Sequence, residues 1–325
     1  MTPIKVALVG FGYWGRILAK EISLNPNFEL TSIWDPNLNI QSLPEEIRHT
    51  IELKKSTKFS EVTEMAVIVA TPAITHFNIV SEMLQLGKDV LCEKPITTNT
   101  ADASHLHVMV RDTNRVLQIG QTYLYHPVIQ SIKSEITHYG KSQSSFFSSN
   151  RIANGPVRSD VGAHWDLAAH DLSILMHLTD SKILKVLAIS NQKKHSEVVE
   201  SLTILCDLES QNLASITVSW GGAGKNRNLN YIDERISISY DEAAMPLGYI
   251  LNQRTGKNQH FKDLSGDSLM SPLQYELTEF AESIREERTD SEKLKIGLNV
   301  VSILKSVDES LEQGHIWRDV SYETD

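Results

Sequence analysis

Three groups of residues in this chain combine chemical type with a telling spacing. The first is Gly10-Phe11-Gly12-Tyr13-Trp14-Gly15, which ends the apolar run Val6-Ala7-Leu8-Val9 and precedes the helical pattern Arg16-Ile17-Leu18-Ala19-Lys20-Glu21-Ile22. Between a strand and a helix, G-x-G-x-x-G is a dinucleotide-binding turn. Gly10 permits the tight turn, Gly12 lets the backbone approach a pyrophosphate, and Gly15 lets helix and strand pack closely, with the helix N-terminus facing the phosphates. The second group is Glu93-Lys94-Pro95, which closes the apolar run Val90-Leu91-Cys92. A lysine there can polarise or orient a substrate hydroxyl, and Pro95 removes a backbone donor. The third is Asp166-Leu167-Ala168-Ala169-His170. An acid and an imidazole four apart share one helix face, and such a polar stripe can line a cleft or be an ordinary solvated pair.

The elements that must position these residues follow a regular order. A second apolar run, Phe28 to Trp34, ends at Asp35, 20 residues after Gly15. A carboxylate there accepts the ribose hydroxyls of a dinucleotide. Pro36 and Asn37 follow with no cation beside them, which favours NAD over NADP. Strands are expected near Ile51 and over Met65–Ala70, Asp89–Glu93 and Val116–Gly120, with helices between them over 75–84 and 100–114, the latter capped by Thr100. The alternation predicts a Rossmann-type parallel sheet covered on both faces, with ligands beyond the carboxyl ends of the strands, where Gly10, Asp35, Thr71, Glu93, Lys94 and Gln121 stand. Phe11, Tyr13 and Trp14 lie in the phosphate loop, and Trp14 also reads as a packing residue.

After residue 121 the pattern changes. A strand is expected over 144–150, a loop over 151–160, a helix from Trp165 to Leu178, and period-2 strands over 202–208, 213–220 and 235–240. These suit a second α/β domain on a largely antiparallel open sheet with one covered face. Gly221-Gly222-Ala223-Gly224 and Ser265-Gly266-Asp267 read as loops, and helices over 274–287 and 291–313 close the chain. The expected division is a dinucleotide-binding domain over residues 1–121 and a domain for substrate and oligomerisation over residues 122–325, with the last helix able to return to the first. His177 reads as a surface or interface residue, and Trp220 and Trp317 as packing. Tyr123, Tyr125 and His126 are candidates to line a substrate pocket.

The chain has 325 residues, 41% hydrophobic and 22% charged, with a formal net charge of −10. That length suits two domains, and the balance is globular. The acidic surface argues against nucleic acid or an anionic membrane as a partner. The two cysteines, Cys92 and Cys206, lie in expected strands as free thiols, and no spacing suggests a metal. No signal segment or membrane span is read, so a cytoplasmic location is expected.

In order, the three groups resemble the glucose–fructose oxidoreductase, inositol dehydrogenase and rhizopine-catabolism (Gfo/Idh/MocA) family over nearly the whole chain. The resemblance implies Lys94 and His170 at a reacting hydroxyl, His170 as general base and Asp166 on the sugar or orienting His170. It implies cofactor contacts from the Thr71, Pro72 and His76 loop. The wording Asn150-Arg151 through Gly155-Pro156-Val157-Arg158, followed by Trp165 to Leu175, is similar to members acting on nucleotide-activated amino sugars, although Ala169 stands where those members carry proline. It implies oxidation or reduction at C3 of such a sugar. Arg151 and Arg158 are placed on a diphosphate or carboxylate, or are ordinary solvated arginines. Two alternatives stay open: an inositol, polyol or free-sugar dehydrogenase, and a catalytically silent NAD-binding regulator. Relatives form dimers or tetramers through the second sheet, which implies a homodimer or homotetramer.

Overall fold

The computed structural model describes residues 2–38, 51–140, 142–155, 157, 161–190, 198–254, 258–266 and 270–322. The chain divides into two compact units, one of Met1–Thr122 with Met270–Val301, the other of Tyr123–Leu269 with Ser302–Tyr322.

The first unit holds a parallel sheet of six strands: β1 (Ile4–Val9), β2 (Phe28–Trp34), β3 (Glu52–Lys54), β4 (Ala66–Val69), β5 (Asp89–Glu93) and β6 (Leu117–Gly120). Their order is β3-β2-β1-β4-β5-β6, with every pairing parallel. All residues of β4, β5 and β6 are buried, which is why they read as unbroken apolar runs rather than alternating ones. Helices α1 (Tyr13–Leu24), α2 (Ala73–Gln85) and α3 (Thr100–Thr113) follow β1, β4 and β5. Asn99, not Thr100, caps α3: its side chain accepts from the N–H groups of Ala101 and Asp102. Helices α4 (Pro127–Tyr139) and α5 (Ala169–Thr179) belong to the second unit, whereas α6 (Pro272–Arg285) returns to the first. Leu273, Leu277, Phe280 and Ala281 of α6 share a core with Leu18, Ile22, Phe28 and Ile33, and Phe280 stacks on Phe28 at 5.9 Å.

The second unit carries a nine-stranded sheet. Its strands are β7 (Ser145–Asn154), β8 (Ile183–Ser190), β9 (Ser201–Leu208), β10 (Leu213–Ser219), β11 (Gly221–Asp233), β12 (Ile236–Asp241), β13 (Gly248–Gln253), β14 (Asn258–Asp263) and β15 (Arg318–Asp319). The order is β14-β13-β12-β11-β7-β10-β9-β8-β15, antiparallel except for the β7–β10 pair. β9 and β10 alternate between buried and partly open residues, the signature of one covered face.

Three expectations need correction here. β7 runs on to Asn154, so Arg151 stands on a strand and not in a loop. Gly221 to Gly224 lie within β11, where a register shift against β7 absorbs the glycines. The helix expected from Trp165 opens as a π-helical segment, His164–Ala168, and becomes α-helical only at Ala169. β8, β13 and β14 were not foreseen: β14 is polar throughout except for Phe261, and neither β8 nor β13 alternates cleanly between apolar and polar residues. The last helix, α7, spans Ser291–Glu312 and passes from the first unit into the second.

Candidate active site

In the first unit the glycine turn is sterically committed. Gly10 has φ +96°, and a Cβ there would lie 2.6 Å from the Ala70 carbonyl carbon, so glycine alone fits. A Cβ on Gly15 would meet the Gly10 carbonyl oxygen at 2.2 Å. Around Gly12 a Cβ would find open space, and no side chain caps the start of α1. An anion can therefore approach the backbone there, which fits a dinucleotide pyrophosphate. Asp35 faces the same turn: Phe11 N–H donates to its Oδ2 and Asn37 N–H to its Oδ1, both at 2.7 Å. Both oxygens are thereby oriented, and each keeps lone-pair capacity for a ribose hydroxyl. Phe11 is buried, while Tyr13 is 80% exposed.

Trp14 does more than pack. Its indole N–H donates to the Glu93 carboxylate, joining α1 to the end of β5. Burial is the main cause that raises Glu93 to about 7, against the lowering pull of Trp14 and Lys94. A second carboxyl from α6, Glu276, is fully buried, and burial together with Glu93 pushes it well above the ordinary range. Thr122 Oγ1 donates to Glu276 Oε2 at 3.0 Å. Gln121 is buried in this unit, and its Oε1 has no hydrogen-bond partner among the described residues. Lys94 is half-buried, and the Lys94–Pro95 peptide bond is cis. His76 is 1% exposed, with Nδ1 2.8 Å from the Pro95 carbonyl oxygen and Nε2 2.8 Å from that of Thr71. It thus ties the loop after β4, with Thr71 and Pro72, to the loop after β5.

In the second unit the π-helical segment presents Asp166, and α5 presents His170. Trp220 donates its indole N–H to Asp166 Oδ2 at 3.2 Å, so this buried tryptophan also fixes a carboxylate. The His170 ring lies 5.0 Å from that of Tyr123. The Tyr123 hydroxyl donates to Glu242 Oε2 at 2.9 Å and accepts from Arg151 at 2.8 Å. Burial raises the Tyr123 pKa above its ordinary value. Arg151 is itself buried and pairs with Asp171 through two contacts, at 2.7 and 3.3 Å. Its charge is thus matched inside the protein. Arg158 lies outside the described residues. His126 caps α4 by accepting from Val128 N–H, and Tyr125 is buried.

Two further readings change. His177 is 8% exposed, with Nε2 3.3 Å from Gln130 Nε2, so it is an interior residue and not a surface one. Trp317 is 45% exposed and does not act as core packing. The sequence reading missed Asp171, Arg227, Glu242 and Glu276, and gave Trp220 a packing role only. Asp171 was visible as the neighbour of His170. The others depend on pairings between distant segments and carry no local signal. Among the described residues no group of His, Cys, Asp or Glu could hold a metal ion, and no helix is long and apolar enough to cross a membrane.

Comparison with known proteins agrees with this architecture. Residues 4–121 match the Gfo/Idh/MocA oxidoreductase family with NAD-binding Rossmann fold, and residues 129–245 match the family's C-terminal domain. A UDP-N-acetylglucosamine 3-dehydrogenase of Acidithiobacillus ferrooxidans is 28% identical over 191 residues, 58% of this chain and 58% of that protein. A scyllo-inositol 2-dehydrogenase (NAD(+)) of Bacillus subtilis is 24% identical over 56% of each chain. The alignments thus span less than two thirds of these curated relatives. The solved structure of the Acidithiobacillus enzyme superposes with a TM-score of 0.82 at 23% identity, covering 96% of this chain and 99% of that one. A levoglucosan dehydrogenase in complex with NADH and L-sorbose gives 0.83 at 17% identity, covering 99% and 100%. These likenesses show the fold. With the glycine turn, the Asp35 carboxylate beside it and both domain matches in place, the chain belongs to the Gfo/Idh/MocA oxidoreductase family, and residues 4–121 are that family's NAD-binding Rossmann domain.

Proposed function

We propose that the protein is an NAD-dependent oxidoreductase acting on a sugar hydroxyl or ketone, with a nucleotide-activated amino sugar oxidised at C3 as its substrate. The observation that carries the reading is the retention of Lys94 at the end of β5 together with the Asp166 and His170 pair, whose carboxylate is pinned by Trp220. A catalytically silent regulator has no use for these groups. In the oxidation direction His170 takes the hydroxyl proton as general base, a role suited to imidazole near neutral pH. Lys94 holds and polarises the same hydroxyl. Asp166 accepts a hydrogen bond from the sugar or orients His170. Gly10, Gly12, Gly15 and Asp35 bind the dinucleotide, with Phe11, Tyr13, Trp14, Thr71, Pro72, His76, Glu93 and Gln121 around it. Bound NAD supplies the hydride acceptor. Tyr123 stands beside His170 and forms a wall of the substrate site.

The Acidithiobacillus relative supports the nucleotide-sugar substrate. The inositol dehydrogenase relative supports a polyol as the second reading. The open sheet face supports a homodimer or homotetramer: Leu213, Phe146 and Ile232 stand opposite one another across β10, β7 and β11 and are 52%, 42% and 36% exposed. The test is mass spectrometry of small molecules released from purified protein, followed by NADH formation against UDP-N-acetylhexosamines, inositols and free sugars. NADH from a UDP-N-acetylhexosamine is the expected result. NADH from inositol alone transfers the reading to a polyol dehydrogenase, and absence of nicotinamide binding removes it.

A further inference from the structure

The cation assigned to an anionic substrate from sequence, Arg151, is buried and paired. More exposed cations stand beside it on β11, in the glycine-rich stretch Gly221-Gly222-Ala223-Gly224-Lys225-Asn226-Arg227. Gly221 lies opposite Asn154, yet Asn226 already lies opposite Ile152, so the residues between them bulge from the ladder. Bulges re-aim side chains. A Cβ on Gly222 would meet Cγ2 of Ile152 at 2.5 Å, so the bulge presses on β7 at that point, while Gly224 has open space around it.

Lys225 lies in this bulge and Arg227 just beyond it, in register opposite Arg151, and both reach Glu242, at 3.1 and 2.9 Å. Their side chains are 50% and 29% exposed, against 6% for Arg151. The Arg227 Nε is buried and has no hydrogen-bond partner among the described residues. Lys225, Arg227 and Arg151 face Glu242 and Asp171 within one network, which leaves one positive charge in excess on a chain whose net charge is −10. Asp241, the nearest further acid in sequence, accepts from its own turn at Ala243 N–H. The bulge adjoins the groups expected to do chemistry: Trp220, immediately before it, holds Asp166, and the Tyr123 hydroxyl within the network belongs to the ring beside His170.

We infer that Lys225 and Arg227 form an anion subsite of the sugar site. They take either the diphosphate of an activated sugar or the carboxylate of a sugar acid, and Glu242 holds them in place when the subsite is empty. The inference rests on the sugar reading above and deepens it. Arginine supplies a planar fork and lysine a point charge, the usual pairing for phosphate oxygens.

The test is calorimetric titration of UDP, and separately of glucuronate, into NAD-loaded protein, so that the dinucleotide site is already filled. Wild type is expected to bind at least one of the two, which identifies the anion. Lys225→Ala, at an exposed position, weakens that binding by about tenfold, and Arg227→Gln by at least as much. Lys185→Ala, a half-exposed lysine on β8, leaves it unchanged. Failure of both anions to bind, or wild-type affinity in Lys225→Ala, overturns the subsite. If UDP binding depends on Lys225 but no nucleotide sugar is oxidised, the subsite stands and the functional reading falls. If a nucleotide sugar is oxidised with the same KM by wild type and Lys225→Ala, the reverse holds.

Discussion

At the residue scale, the dinucleotide turn rests on contacts that can be removed singly. Asp35 orients toward the turn through the Phe11 and Asn37 N–H groups. Asp35→Ser should weaken NAD by about tenfold or more, the size of one charged hydrogen bond, and relax discrimination against NADP. Affinity measurements with both dinucleotides check this, and an unchanged preference would remove the ribose assignment. Glu93 yields a prediction of opposite sign to most acids. Its pKa is raised from 4.5 to about 7, so the folded protein holds this proton more tightly than the unfolded chain. The stabilisation is fully present below the ordinary glutamate range and is lost as pH rises through about 7. Between pH 5 and 8 the urea midpoint of cofactor-free protein should fall more steeply in wild type than in Glu93→Gln, and equal slopes would refute the buried-acid account. The glycine turn and the placing of Asp35 beside it were legible from type and spacing, whereas Lys94, Asp166 and His170 were singled out with the help of the family resemblance. The partners that hold several of them, Trp14 on Glu93 and Trp220 on Asp166, were not, because each contact joins residues far apart in sequence.

At the element scale, the parallel strands were readable because burial on both faces writes a continuous apolar run. The second sheet was only partly readable. β9 and β10 alternate cleanly, but β11 begins with glycines whose local meaning is a loop and whose strand conformation is imposed by pairing with β7. The π-helical segment before α5 is likewise invisible to a helical periodicity, and such segments are frequent at functional sites. Helix α6 shows how distant sequence completes a core: Leu277 is fully buried against the first sheet's cluster. Leu277→Ala should destabilise the protein by about 2–5 kcal/mol, read from denaturant unfolding. A loss below about half a kcal/mol would show that α6 does not close that core.

At the scale of the whole molecule, the chain builds a Rossmann unit, leaves it at Thr122 and returns to it at Met270. The sequence reading expected a return only of the last helix and kept residues 122–325 in one domain; that α6 also belongs to the first unit was not foreseen, since nothing local in α6 names its partner. The two units carry different groups: the first holds the glycine turn and Lys94, the second Asp166, His170 and the charged network around Tyr123. The central claim is that Lys94 and His170 act on the reacting hydroxyl. It is tested most directly by NADH fluorescence on mixing NAD and the selected sugar with wild type, Lys94→Ala and His170→Ala. The account predicts that wild type forms NADH and that each variant is slower by about a hundredfold or more, while NAD affinity stays within about threefold. Wild-type turnover in either variant would contradict it.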